Sequence, residues 1–158
     1  MAVSLRLSVK NIRMKYESHI TQSSCSAESI YRVLGNLKNL ERVRDMIPQD
    51  KIQELEIEKD YVRVKVNGLG QKIGFFIADK EENKVVKYGV ENSPIAVTMW
   101  VQMKEVAPRD TRIKLTVDAD IPFMFRMMME KKLQDGLNQA ADMLAQFPYE
   151  EWEKGEQA

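Results

Sequence analysis

The sequence predicts an α+β domain in which a bent, seven-stranded antiparallel sheet wraps around one long C-terminal helix. Two observations carry this. Six consecutive segments alternate apolar and polar residues, at 52–58, 61–66, 71–79, 85–91, 95–106 and 111–119. Only one long helical pattern exists, from Pro122 to Phe147, and it follows them.

The links between the six segments are short and polar: Lys59-Asp60, Asn67-Gly68-Leu69-Gly70, Glu81-Glu82-Asn83, Asn92-Ser93-Pro94 and Ala107-Pro108-Arg109-Asp110. Links of this length join antiparallel neighbours, since a parallel crossover needs a dozen residues or more. Alternation is cleanest in the last two segments. Ile95, Val97, Met99, Val101 and Met103 share one face, as do Ile113, Leu115, Val117 and Ala119, with Trp100 pointing the other way. A bulge at Gly74 would decide whether Phe75 or Phe76 faces inward; the alternation selects Phe75 and Ile77.

Upstream, residues 15–23 alternate and read as the first strand, with Tyr16, Ser18 and Ile20 on one face. Ser26 offers an N-cap and Glu28 an acid in the first turn of a helix carrying Ile30, Val33, Leu34 and Leu37. A second short helix places Leu40, Val43 and Ile47 on one face and ends at Pro48. Residues 1–13 read as an N-terminal extension, disordered or adding a strand. Residues 14–149 form the domain, and 150–158 an acidic tail that frays.

Composition limits the function. A chain of 158 residues fits one domain able to bury a full core. Its 24 basic and 24 acidic residues cancel, which argues against nucleic acid as a partner. Cys25 and His19 are each the sole residue of their type, so no internal disulfide and no cysteine or multi-histidine metal site is expected. No apolar run reaches the roughly 20 residues of a membrane span, so stable membrane insertion is not expected. Arg6, Lys10 and Arg13 lack a signal peptide's apolar centre, and the expected location is cytoplasmic.

On the long helix, Leu133, Leu137, Ala140, Leu144 and Phe147 form the stripe that faces the sheet. Projected back, the stripe reaches Met129, Glu130 and Arg126, with Arg126 suited to a carboxylate or phosphate at a cavity mouth, though charges on helices more often reach water. Met124, Met127 and Met128 fall off the stripe. They need a cover, for which the loops near Leu69 or Ile47, a ligand, a second copy or a lipid surface are the choices. Gly136 suggests close packing. His19 is the one natural base near neutrality, yet no Ser, Cys or Asp is spaced to complete a triad with it, and a structural histidine is the commoner case. The Asn67–Gly70 stretch lacks the Lys-Ser/Thr ending of a phosphate loop and reads as a hairpin turn. Glu81-Glu82 and Glu150-Glu151 read as solvated charge.

The order of elements over about residues 14–149 resembles the helix-grip layout of the START-like superfamily, which includes Bet v 1 and the polyketide cyclase-like proteins. The stretch Ser26-Ala27-Glu28-Ser29-Ile30-Tyr31-Arg32-Val33-Leu34-Gly35-Asn36-Leu37 is similar to the superfamily's opening helix. Glu91-Asn92-Ser93-Pro94 and Leu133–Leu144 resemble small bacterial members of unassigned role. The resemblance implies a sheet–helix cavity and no particular reaction.

The expected function is binding of a small apolar or amphipathic, lipid-like molecule in that cavity, without a cofactor or metal and with no catalytic residue assigned. Its predicted lining is Tyr16, Phe75, Ile77, Val97, Met99, Val101, Ile113, Leu115, Val117, Arg126, Met129, Leu133 and Leu137. A cyclase or hydratase-type enzyme using Arg126, Tyr16, Tyr31 or Tyr88 is the alternative, and an interaction module using the methionine-rich helix start is a third. The chain is expected to be a monomer or homodimer.

Overall fold

The computed structural model describes residues 11–46, 52–66 and 70–157. Among the described residues, eight strands form one antiparallel sheet: β1 (Asn11–Glu17), β2 (Thr21–Ser23), β3 (Ile52–Ile57), β4 (Tyr61–Val66), β5 (Lys72–Glu81), β6 (Val85–Glu91), β7 (Val97–Ala107) and β8 (Asp110–Pro122). Their order across the sheet is β1-β8-β7-β6-β5-β4-β3, and β2 also pairs with β8. Between β2 and β3 lie helix α1 (Ala27–Leu34) and a 3-10 segment (Leu37–Met46). The chain ends in a 3-10 turn (Phe123–Phe125), the long helix α2 (Arg126–Gln146) and a further helix α3 (Tyr149–Gln157).

The single first strand expected at 15–23 is split in two. Glu17 pairs with Thr116, but Thr21 pairs with Ile113, so four steps on one strand match three on the other. One extra residue reverses the inward-outward parity. Tyr16 and Ser18 are buried, whereas Ile20 is 66% exposed rather than sharing their face. Ser18 holds the irregularity together. Its N–H donates to Leu115 O at 2.8 Å, and its Oγ accepts from Leu115 N at 2.9 Å.

The long helix also begins later than the pattern suggests. β8 runs on to Pro122, paired with Asn11 of β1, so residues 11–13 belong to the sheet. The apolar stretch after Pro122 opens as a 3-10 turn, and the α-helix starts at Arg126. It is continuous through Gly136. That glycine is exposed and a Cβ there would meet nothing within 4 Å, so close packing does not explain it. The acidic stretch after Pro148 is helical rather than frayed, because Tyr149 is fully buried and its hydroxyl donates to Leu144 O at 2.6 Å.

Ser26 caps α1 as expected, accepting from Ser29 N at 3.2 Å, with Glu28 in the first turn. Two glycines in the sheet are required by close approach. A Cβ at Gly89 would lie 2.5 Å from the Phe76 ring, and one at Gly74 would lie 2.3 Å from Glu91 Cγ. Glu91 reaches over Gly74 to pair with Arg63 at 3.0 Å. Phe76 therefore covers Gly89 on the outer face, and Phe75 points to the inner one. Trp100, half-buried on the outer face, lies opposite Lys87, whose Nζ is 5.6 Å from its ring centroid.

Candidate functional site

The inner face of the sheet is apolar by alternation. Val86 pairs with Val101 and Val101 with Leu115; Tyr88 pairs with Met99 and Met99 with Val117, which pairs with Tyr16. Directly opposed residues share a face, so these rows form one surface. Helix α2 covers the β1–β2–β8 end of it. Gln134 Nε2 donates to Glu17 O at 2.8 Å, the Thr21 hydroxyl to Ala141 O at 3.2 Å, and His19 N–H to Asn138 Oδ1 at 2.9 Å.

Away from that end, the sheet and the helices line an apolar cavity of about 300 Å³ that is partly open to solvent. Its floor is Phe75, Tyr88, Met99 and Val101. Val33 and Leu34 of α1 form one wall, and Leu37, Asn36, Asn39, Leu40 and Val43 of the 3-10 segment and its approach form another. Leu144 and Phe147 at the end of α2 and Tyr149 and Trp152 of α3 close it. Phe75 stacks on Tyr88 with centroids 5.0 Å apart, and Phe147 packs against Tyr149 and Trp152 at 5.0 and 5.2 Å. The volume is at the lower end of the small-molecule range.

Most of the side-chain polar atoms on these walls are already engaged. Tyr88 Oη donates to Leu34 O at 2.6 Å, closing α1 down on the sheet. Trp152 Nε1 donates to Asn39 Oδ1 at 3.0 Å, and Asn39 Nδ2 donates to Val33 O and Asn36 O. Burial raises the pKa of both Tyr88 and Tyr149 above the usual tyrosine value, with Cys25 and Tyr88 adding to the shift at Tyr149. Both phenols stay protonated at neutral pH, so neither serves as a base there. What the cavity offers is an apolar surface.

Helix α3 acts as its end cap, held by surface interactions. The Arg42 guanidinium lies 3.6 Å over the Trp152 ring and donates from Nη1 to Trp152 O at 2.7 Å. Arg32 pairs with Glu153 at 3.2 Å and with Glu28, and Arg109 pairs with Glu150 at 3.0 Å.

The predicted lining residues separate into groups. Phe75, Met99 and Val101 line the cavity. Ile113 and Leu115 are fully buried in the core, and Tyr16 and Leu137 are buried too. Ile77, Val97, Val117, Met129 and Leu133 are partly buried and pack against that core. Arg126 and Glu130 are exposed at the start of α2. Phe123, Met124, Phe125, Met127 and Met128 beside them are exposed as well, Met127 to 90%. The loop positions expected to cover them, around Leu69 and Ile47, lie outside the described residues. The walls from α1, the 3-10 segment and α3 were not in the predicted lining. The Val33/Leu34 and Leu40/Val43 faces were the available signal, together with the Tyr149–Trp152 pair at helical spacing.

Elsewhere, His19 Nε2 lies 2.7 Å from Asp142 Oδ1 on the surface, where it ties the strand irregularity to α2. Among the described residues no cluster of three or more His, Cys, Asp or Glu is arranged to hold a metal, and no helix is long and apolar enough to cross a membrane.

No protein-family model matches the chain, and no curated protein does. Solved structures do. Norcoclaurine synthase from Thalictrum flavum, in complex with dopamine and hydroxybenzaldehyde, matches at 14% identity over 86% of each chain with a TM-score of 0.62. A protein from Thermobifida fusca matches at 10% identity over 89% of this chain and 93% of that one, with a TM-score of 0.57. A START superfamily protein from Mycobacterium smegmatis matches at 13% identity over 84% and 98%, with a TM-score of 0.49. An open antiparallel sheet with a long helix packed on its inner face defines the helix-grip class. The chain has this helix-grip fold, which it shares with norcoclaurine synthase and the Thermobifida fusca protein.

Proposed function

We propose that this domain binds a small apolar or amphipathic molecule between the inner face of its sheet and the helices α1, α2 and α3. One observation carries the reading: a cavity of about 300 Å³ lies on that face, and most of the side-chain polar groups on its walls, the Tyr88, Tyr149 and Trp152 donors among them, are spent on the protein itself. A site of this kind gains affinity by burying apolar ligand surface and rejects charge, for which it has no free partner. Phe75, Met99 and Val101 are the contacts on the sheet. Val117, Val97 and Ile77 extend the surface beyond the cavity, and Met129, Leu133 and Leu137 cover it from α2.

An enzyme of the cyclase or hydratase type requires several free polar groups converging on one point. Tyr88 and Tyr149 do not supply them, since each donates to a backbone carbonyl. Native mass spectrometry of freshly purified protein tests the proposal directly. A carried-over apolar molecule, lost in a Met99→Trp variant that keeps its melting temperature, is the expected result. Failure of the protein to take up any apolar probe such as N-phenyl-1-naphthylamine would refute it. The same spectra report whether the chain is a monomer or a homodimer.

A further inference from the structure

Tyr16 is 6% exposed, and its hydroxyl is fully buried with no hydrogen-bond partner among the described residues. A phenol in that state forfeits hydrogen bonding that water would otherwise supply. Tyr16 stands on the inner face in the row Tyr16–Val117–Met99–Tyr88. Met99 and Tyr88 line the cavity. At roughly 4.8 Å between strands, Met99 and Tyr16 are about 10 Å apart along the row. Tyr16 thus lies beyond half-buried Val117, at the far end of the apolar row that Met99 begins and outside the cavity's own lining.

The surroundings of that hydroxyl decide what kind of group it meets. Gln134 sits at Glu17 and Asn138 at His19, so α2 runs along this edge at one turn per two strand residues. One turn before Gln134 is Glu130, and one turn before that is Arg126. Both bear electrostatically on the Tyr16 hydroxyl, and Glu130 does so more strongly than Arg126. A carboxylate or phosphate placed there would be repelled by the nearer charge. Burial and Glu130 also keep the phenol protonated, so it donates.

We infer that the ligand carries an uncharged polar head, a hydroxyl or carbonyl, which accepts a hydrogen bond from Tyr16 while its apolar body lies over Val117 and Met99. The head-group assignment rests on the proposed binding in the cavity. It places the ligand among neutral amphipathic molecules such as alcohols, ketones or esters, and sets aside fatty-acid and phosphate-bearing molecules.

The test is displacement of N-phenyl-1-naphthylamine from the full chain by octane, 1-octanol and octanoate. Tyr16→Phe should weaken 1-octanol about 5- to 10-fold, the worth of one hydrogen bond, and leave octane and the probe unchanged. Glu130→Gln should strengthen octanoate severalfold with little effect on 1-octanol. Equal displacement by 1-octanol in wild type and Tyr16→Phe would overturn the anchor while the cavity reading stood. Octanoate binding more tightly than 1-octanol, and losing that advantage in Arg126→Gln, would overturn the neutral head. A wild-type chain that bound none of these molecules would remove the cavity reading and the anchor together.

Discussion

Replacing Ser18 with alanine should cost the domain about 2 kcal/mol. The Leu115 N–H lies in the core, where Leu115 is 1% exposed, and its acceptor is the Ser18 hydroxyl at 2.9 Å rather than a carbonyl. That hydroxyl also donates to His19 O at 2.8 Å. Alanine keeps the Ser18 N–H to Leu115 O bond of 2.8 Å but leaves the Leu115 donor buried and unsatisfied. The expected penalty for such a donor is about 1–3 kcal/mol. In a domain of this size, about 2 kcal/mol lowers the melting temperature by roughly 4–8 °C. Urea unfolding should show a lower midpoint at unchanged slope, because the loss lies in the native state. Ser24→Ala, at an exposed position, should stay within about 0.5 kcal/mol of wild type and serves as the control. A Ser18→Ala variant as stable as that control would show that the hydroxyl does not stand in for a backbone acceptor. The account of the strand irregularity would then fail.

Gly136→Ala should stabilise the domain by about 1 kcal/mol in the same assay, since the position is helical and a Cβ there meets nothing within 4 Å. Gly89→Ala should destabilise it by about 1–3 kcal/mol, because the new methyl lies 2.5 Å from the Phe76 ring. The double variant Met127→Gln/Met128→Gln should shift the unfolding midpoint by less than about 0.5 kcal/mol, as both side chains are exposed; a loss of several kcal/mol would show that they are buried in solution. Alkaline pH should unfold the protein. Burial raises the Tyr88 and Tyr149 pKa values in the folded state, so their stabilisation is complete below pH 10 and is lost above it, by about 1.4 kcal/mol per pH unit for each tyrosine. Urea midpoints measured between pH 8 and pH 11 should be flat to near pH 10 and then fall; a flat profile throughout would place both phenols in water.

Local order was legible in the chain itself. Alternation in β7 and β8 named Val97, Met99, Val101, Ile113, Leu115 and Val117 as one face, and the pairing of Met99 with Val117 and Val101 with Leu115 puts them there. Period-two alternation and short polar links are properties of neighbouring residues, so they can be read without knowing what packs above. Ser26 as the cap of α1 was readable for the same reason. The order of elements was enough for the helix-grip fold.

Parity after an irregularity is not local. The extra residue between Glu17 and Thr21 turned Ile20 outward, and only the pairing with β8 determines where such a residue is inserted. The helix start was displaced as well: β8 runs to Pro122, paired with Asn11 of β1, and Phe123–Phe125 form a 3-10 turn before the α-helix begins at Arg126. The cavity depended on tertiary structure most of all. Val33, Leu40, Tyr149 and Trp152 come from three separate helical segments and Phe147 from the residue after α2, and an acidic tail such as 149–157 becomes a cap only when Tyr149 finds a buried place against α2. An apolar face in a sequence signals that something will cover it. Which partner covers it, and how much space remains between them, follows from the packing of the whole chain.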